Sequence, residues 1–242
     1  MIAVGIVTCN RPLLFERCAR GCRKHFSGSK IPFYVYNDGS NPRYDPAYER
    51  AYRLVPNRHI LGGPNRGVAY AKNMLLAVML DAGADWLFLL EDDIQITSPD
   101  AVHGYVRACE QSGLHHLSFA HHGAANAGGP VETDGPVSYY QHSIGAWSVY
   151  SRECLEAVGV FDEVFRNAWE HVEHTMRLAV AGYTSGAWRF ADATGSDRWL
   201  RELPGALETS VIRQDPGWEQ GMVEGREHWR VAHPDTYPLI FA

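Results

Sequence analysis

The chain has 242 residues, is 45% hydrophobic and carries a formal net charge of −6. That is enough to bury a sizeable core as one large domain or two fused halves, while the acidic balance runs against a surface built for non-specific nucleic-acid binding. The five cysteines, Cys9, Cys18, Cys22, Cys109 and Cys154, complete no zinc or disulfide pattern; with no basic leader and no apolar run of membrane-spanning length, free thiols and a cytoplasmic location are expected.

Ala3 to Thr8 is a continuous apolar run that reads as a first strand, broken by Asn10-Arg11-Pro12. Leu13 to Phe26 has helical spacing. Phe33 to Tyr36 reads as a second strand, ending in the turn Asn37-Asp38-Gly39-Ser40. Asp45 to Leu54 is a second helical stretch, Gly62 to Asn65 a loop, and Gly67 to Asp81 a strong helix. Trp86 to Leu90 is a buried strand that stops at Glu91-Asp92-Asp93. This alternation predicts an α/β fold, a mostly parallel sheet covered by helices on both faces. Further on, Pro99 to Gln111 is helical and Leu117 to Phe119 extended. His121 to Gly135 is a Gly/Ala-rich loop. Ala146 to Tyr150 is a strand with a short helix after it, Glu170 to Ala181 a helix, Ala187 to Phe190 a strand, and Trp218 to Trp229 a helix in a loop-rich tail.

Four groups of residues point to chemistry. In an open parallel sheet, ligands sit at the carboxyl ends of the strands. Three acids there, Glu91, Asp92 and Asp93, repel one another unless a cation neutralises them. Oxygen ligands suit Mg²⁺ or Mn²⁺, which can bridge to a diphosphate; taken alone, the cluster is equally an acidic turn. Asp38 beside Gly39 can accept hydrogen bonds from a base or ribose, or simply close a turn. Asn65-Arg66-Gly67 opens a helix, where Gly67 permits close backbone approach and the N-terminus favours phosphate, with Arg66 and Lys72 adding charge. On the helix from Glu170, the residues Glu170, Glu173, His174 and Arg177 share a polar face, while Val172, Met176 and Val180 face the core. Glu170 or His171 could take a proton from an acceptor hydroxyl; a solvated face with an internal Glu–Arg pair is the plainer alternative.

In their order along the chain these motifs resemble the GT-A type glycosyltransferases, family 2 in particular. The resemblance rests on Thr8-Cys9-Asn10-Arg11, Asn37-Asp38-Gly39-Ser40, Asn65-Arg66-Gly67 with Ala71-Lys72-Asn73, Glu91-Asp92-Asp93, Gly159 to Glu163, and Glu170-His171-Val172-Glu173 through Arg177. It covers roughly residues 1–190, and its specificity lies in the order and spacing. It implies a GT-A domain over 1–242, with a Rossmann-like, mostly parallel sheet. Residues 1–115 would bind the nucleotide-sugar, and 116–242 would form a smaller acceptor-binding half and tail. It further implies transfer of a sugar from a nucleoside diphosphate-sugar, UDP-sugar as first choice, to a hydroxyl of a saccharide, lipid-linked sugar or protein.

By the same resemblance Thr8, Asn10, Arg11, Asp38 and Asn65 would contact the donor nucleoside. Arg66, Gly67 and Lys72 would lie near ribose or phosphates. Asp93 would be the principal ligand of Mn²⁺ or Mg²⁺, with Glu91 supporting it on the ribose or a metal-bound water, and Asp92 on the donor side or only a spacer. A late histidine would complete the metal site, His228 first, with His121 and His122 as further candidates. The family's base is the Asp of Glu-Asp; here His171 stands in that place, so His171 or Glu170 is the expected base of an inverting transfer, with Glu173 beside them. Trp147 and Trp169 could wall the acceptor side. Three competitors remain: a transferase acting on hydroxylated nucleic-acid bases, a zinc hydrolase using His171, Glu173 and His174, and a non-catalytic nucleotide-sugar-binding module. The zinc reading is weakened by histidines at i, i+3 rather than i, i+4.

Overall fold

The computed structural model describes residues 1–241. In chain order it contains β1 (Ile2–Thr8), α1 (Pro12–Phe26), β2 (Phe33–Asp38), α2 (Asp45–Tyr52), β3 (Arg58–Gly63), α3 (Val68–Asp81), β4 (Trp86–Glu91), β5 (Ile94–Ile96) and α4 (Asp100–Ser112). The second half adds β6 (His116–Ser118), β7 (Glu132–Asp134), β8 (Val137–Tyr140), β9 (Trp147–Ser151), α5 (Arg152–Val158), α6 (Glu170–Val180), β10 (Phe190–Ala193), β11 (Leu200–Glu202), α7 (Trp218–Ala232) and α8 (Pro238–Phe241).

The main sheet has six strands in the order β3-β2-β1-β4-β9-β6. β3, β2, β1 and β4 run parallel; β9 is antiparallel to both β4 and β6. Two small sheets flank it, β10-β8-β7 and β11-β5. The apolar strand runs are explained by burial on both faces. Val4, Ile6, Phe88 and Leu90 point into one core with α1, α2 and α4. Ala3, Val7, Leu87 and Leu89 point into another with α3, α5 and Leu178 of α6. This period-two division is what a helix-covered parallel sheet requires.

Several elements differ from the sequence expectation. Residues 58–63 form the edge strand β3, where a loop was expected over part of them. Its side chains are mostly exposed, so no apolar pattern marks it; pairing with β2 creates it. The end of the Gly/Ala-rich stretch folds into the β7–β8 hairpin, and the strand expected at 187–190 lies at Phe190–Ala193. On α6 the polar face is not solvated. Glu170, Glu173 and His174 are buried, whereas Val180 is exposed, because the helix lies between the sheet and the tail and its charges find partners there.

Candidate active site

β1, β2 and β4 end together, and a cleft of about 1080 Å³ opens over their carboxyl ends. Its floor carries Thr8, Arg11, Asp38, Glu91 and Asp93; one wall carries Asn65, Arg166 and Asn167, and another His122, Gly145, Trp169, Glu170 and His171.

The three acids after β4 do different things. Asp92 is fully buried beneath the cleft, where it accepts from Thr8 Oγ1 at 2.6 Å and pairs with Arg11. Burial pushes its carboxyl up, against the pull of Arg11. It is an anchor for the β1 turn and does not line the cleft, contrary to a donor-binding role. Asp93 faces the cleft. Its Oδ2 meets Arg11 Nη1 at 3.1 Å and His122 Nε2 at 3.5 Å. Burial alone would raise its pKa, but His122 and Arg11 together bring it below the ordinary value. Two buried atoms here make no well-formed hydrogen bond among the described residues: Asp93 Oδ1, and His122 Nε2, whose contact with Asp93 Oδ2 at 3.5 Å is long. Asp93 and His122 thus offer a cation one free carboxylate oxygen and one imidazole nitrogen; Glu91 lines the same cleft with its Oε1 bound by Lys72 and does not converge with them as a third ligand.

His228 does not join this set. Its Nε2 lies 2.7 Å from Asp162 Oδ2, and it does not line the cleft. The helix α7 that carries it packs on the segment around Phe165 instead. Of the three histidines considered, His122 is the one at Asp93; His121 bonds Tyr140 at 3.0 Å.

Lys72 was expected near phosphate but is buried, with Nζ 2.9 Å from Glu91 Oε1, 3.2 Å from Glu170 Oε1 and 3.1 Å from Gly145 O. It ties Glu91 at the end of β4 to Glu170 on α6 from behind the cleft. Glu170 would be raised by burial, yet the Lys72 ammonium and His171 outweigh this and hold it at about 2. His171 Nδ1 lies 3.3 Å from Glu170 Oε1. The ring sits against Gly145, where a Cβ would come within 2.8 Å of it.

Glu173 does not reach the cleft. It is fully buried and grips Arg177 at 2.6 and 3.1 Å. His174 points into the core, with Nε2 on Gly159 O at 2.8 Å. The run His171 to His174 therefore does not assemble a zinc site on α6.

The α3 entrance also departs from expectation. Asp38 accepts the N–H groups of Arg66 and Gly67, each at 2.9 Å. Val68 N donates to Asn167 Oδ1 and Ala69 N to Arg166 O. The amides expected to meet phosphate are thus bound by protein. Gly67 has φ 96°, and a Cβ there would lie 2.2 Å from Arg166 Cγ. The Arg66 guanidinium lies over the Tyr70 ring and near Glu163, outside the cleft. Arg166, which lines the cleft and donates to Asn65 Oδ1 at 2.9 Å, brings positive charge to that wall. Asn10 accepts from Asn41 N at 2.7 Å and holds the loop after β2, so it too lies off the cleft lining.

Trp147 is fully buried against Phe88 and Tyr105, in the core, so it cannot wall an acceptor site. Trp169 does line the cleft, at φ 70°, with its Nε1 donating to Met222 O at 2.9 Å. Trp188, 45% exposed and also lining the cleft, went unnoticed because it sits in an apparent strand run.

No family model and no curated protein matches the sequence. Solved structures match the fold. The mannosyltransferase PcManGT from Pyrobaculum calidifontis, in complex with GDP-Man and Mn²⁺, is 16% identical at a TM-score of 0.56, over 75% of this chain and 52% of its own. TarS 1-349 of S. aureus is 15% identical at a TM-score of 0.61, over 100% of this chain and 75% of its own. Glucosyl-3-phosphoglycerate synthase from Mycobacterium tuberculosis, in complex with Mn²⁺, uridine-diphosphate and phosphoglyceric acid, is 14% identical at 0.55, over 75% and 64%. The chain thus spans about half the length of the first of these proteins. What they share with it is architecture: a mostly parallel sheet flanked by helices, the GT-A glycosyltransferase fold.

Proposed function

We propose that the chain is a divalent-metal-dependent glycosyltransferase that moves a sugar from a nucleoside diphosphate-sugar to an acceptor hydroxyl. The observation that carries this reading is the pair of buried atoms without a hydrogen bond, Asp93 Oδ1 and His122 Nε2, on two residues that line the cleft. Asp93 and His122 would hold Mn²⁺ or Mg²⁺, with Glu91 on the ribose or a metal-bound water; the ion when bound supplies neutralisation of the departing diphosphate. The donor class is supported by the matched proteins, whose complexes contain GDP-Man, UDP or UDP-GlcNAc. Thr8, Asp38, Asn65 and Arg166 line the part of the cleft suited to nucleoside and phosphate.

His171 is the base in this reading, and the outcome is inversion. Glu170 is a poor proton acceptor, since Lys72 and His171 hold it at about 2, and a useful general base has a pKa closer to the working pH. Glu170 instead accepts a hydrogen bond from Nδ1–H of His171 and so fixes the tautomer, leaving Nε2 free to take the acceptor's proton. Trp169 and Trp188 offer aromatic faces to a saccharide, lipid-linked sugar or protein acceptor.

The test is nucleoside diphosphate release from a panel of UDP- and GDP-sugars with Mn²⁺, Mg²⁺ or EDTA. Release should require the ion, and should fall roughly 10²-fold or more in Asp93→Ala and His122→Ala. Equal release in EDTA, or an unimpaired Asp93→Ala enzyme, would remove the metal from the mechanism.

A further inference from the structure

Outside the cleft, Asp162, His228 and His233 converge. His228 Nε2 lies 2.7 Å and His233 Nε2 3.1 Å from the same oxygen, Asp162 Oδ2. All three donor atoms lie within 4.8 Å of one another. We propose that they form a second metal site, for Zn²⁺, separate from the cleft and structural in role.

The ligand set and its surroundings favour zinc. Two imidazoles and one carboxylate are a zinc donor set, and tetrahedral bonds of about 2.0–2.1 Å place ligand atoms about 3.3 Å apart. The His228–Asp162 contact at 2.7 Å has to open by about 0.6 Å and the His233–Asp162 contact at 3.1 Å by about 0.2 Å. The second shell is also in place. His233 Nδ1 faces Glu173 Oε1 at 3.4 Å, the carboxylate–histidine–metal relay that fixes the ring with Nε2 turned to the ion. Asp162 Oδ1 accepts Val164 N at 2.9 Å, which orients the carboxylate. Asp162 and Glu173 supply two negative charges and Arg177, bound to Glu173, one positive, so a dication is electrostatically welcome. The ligands are each 21–28% exposed, which leaves a path for the ion and for a water as fourth ligand. Phe165 covers the other side, against both rings.

The fold gives such a site a purpose. α7 has fifteen residues, yet only Gly225 and Trp229 are buried. So little apolar contact holds a helix weakly. The same helix presents Trp218 and Met222 to the cleft. A metal bridging Asp162, on the segment leading into α6, to two residues at the end of α7 would clamp that cleft wall in position.

The experiment uses tag-free, chelator-stripped protein and Zn²⁺ alone. Wild type should bind one Zn²⁺ per chain with Kd below about 1 µM, and Co²⁺ in its place should give the intense visible bands of a tetrahedral site. Tm should rise by about 5 °C or more with Zn²⁺ at 100 times Kd. Binding should weaken about 100-fold in the double variant His228→Gln, His233→Gln. It should weaken similarly in Asp162→Asn, which keeps an acceptor for both histidines and so guards against simple misfolding. Asp93→Ala should keep full zinc affinity, which separates this site from the cleft metal whatever becomes of the transferase reading. Zinc held equally well by both ligand variants, or bound by wild type only above about 100 µM, would show a hydrogen-bonded clasp and overturn the proposal.

Discussion

Lys72 is a buried cation between two carboxylates that belong to opposite sides of the cleft, Glu91 and Glu170. Taking an ammonium out of water is costly unless it is paired and hydrogen-bonded, and here all three of its donors have acceptors. The arrangement keeps Glu170 ionised, and in the proposed mechanism Glu170 orients His171. Replacing His171 by Asn should therefore lower kcat by about 10²–10⁴-fold with little change in donor KM. Glu170→Gln should also cost rate, because the glutamine can present either its oxygen or its NH₂ to the ring. If initial rates show His171→Asn close to wild type and Glu170→Gln dead, the carboxylate is the base.

At the scale of elements, the entrance to α3 is held by exchange between distant segments. Asp38 caps the amides of 66 and 67, and the 166–167 segment caps those of 68 and 69. Gly67 lets these segments meet. Gly67→Ala adds a Cβ at φ 96°, 2.2 Å from Arg166 Cγ and 2.5 Å from its carbonyl oxygen. It should destabilise by about 2–4 kcal/mol, read from the denaturant midpoint, and raise donor KM by displacing Arg166. An unchanged midpoint would mean that the 166–167 segment yields freely. What the sequence shows of these elements follows the same physics. β1 and β4 are legible because both faces are buried, and their apolar runs announce it. β3 is not, since an edge strand of exposed side chains owes its existence to β2. The grouping of Asp38, Glu91, Asp93 and His171 at one cleft was legible through motif order. Lys72, Asp92, Glu173 and Trp147 were misplaced because burial beside a partner far along the chain leaves no local signature. That His122 rather than His228 lies beside Asp93 is equally a matter of tertiary packing.

Across the whole molecule, buried titratable groups set the pH response. His116 donates from Nδ1 to Val149 O and stacks on Tyr150; burial holds its imidazole at about 4, below the ordinary 6.5. The unfolded chain therefore takes up this proton first as pH falls, so the stabilisation is complete above 6.5 and is lost on going down through 4. The gap corresponds to about 3 kcal/mol. His174, also lowered by burial, acts in the same sense. Asp192, raised by burial to about 6, works in the opposite sense, since the folded chain takes up its proton first. The measurable quantity is thus a difference: the unfolding free energy of wild type minus that of His116→Gln should shrink by about 3 kcal/mol between pH 7.5 and 4. A gap that stays constant would place the titration elsewhere.

The position of β9 has a further consequence, for how the chain must assemble. β4 is complete at residue 91, but its second neighbour, β9, begins only at residue 147. Until that strand is made, β4 presents an unpaired apolar edge, open to pairing with other chains. Closing the gap needs a contact across more than fifty residues, which favours slow folding and transient exposure. The first half of the chain is thus kinetically dependent on the half that follows it. Cutting the chain near residue 115 would strand the edge that β9 covers, for the sheet has no seam there.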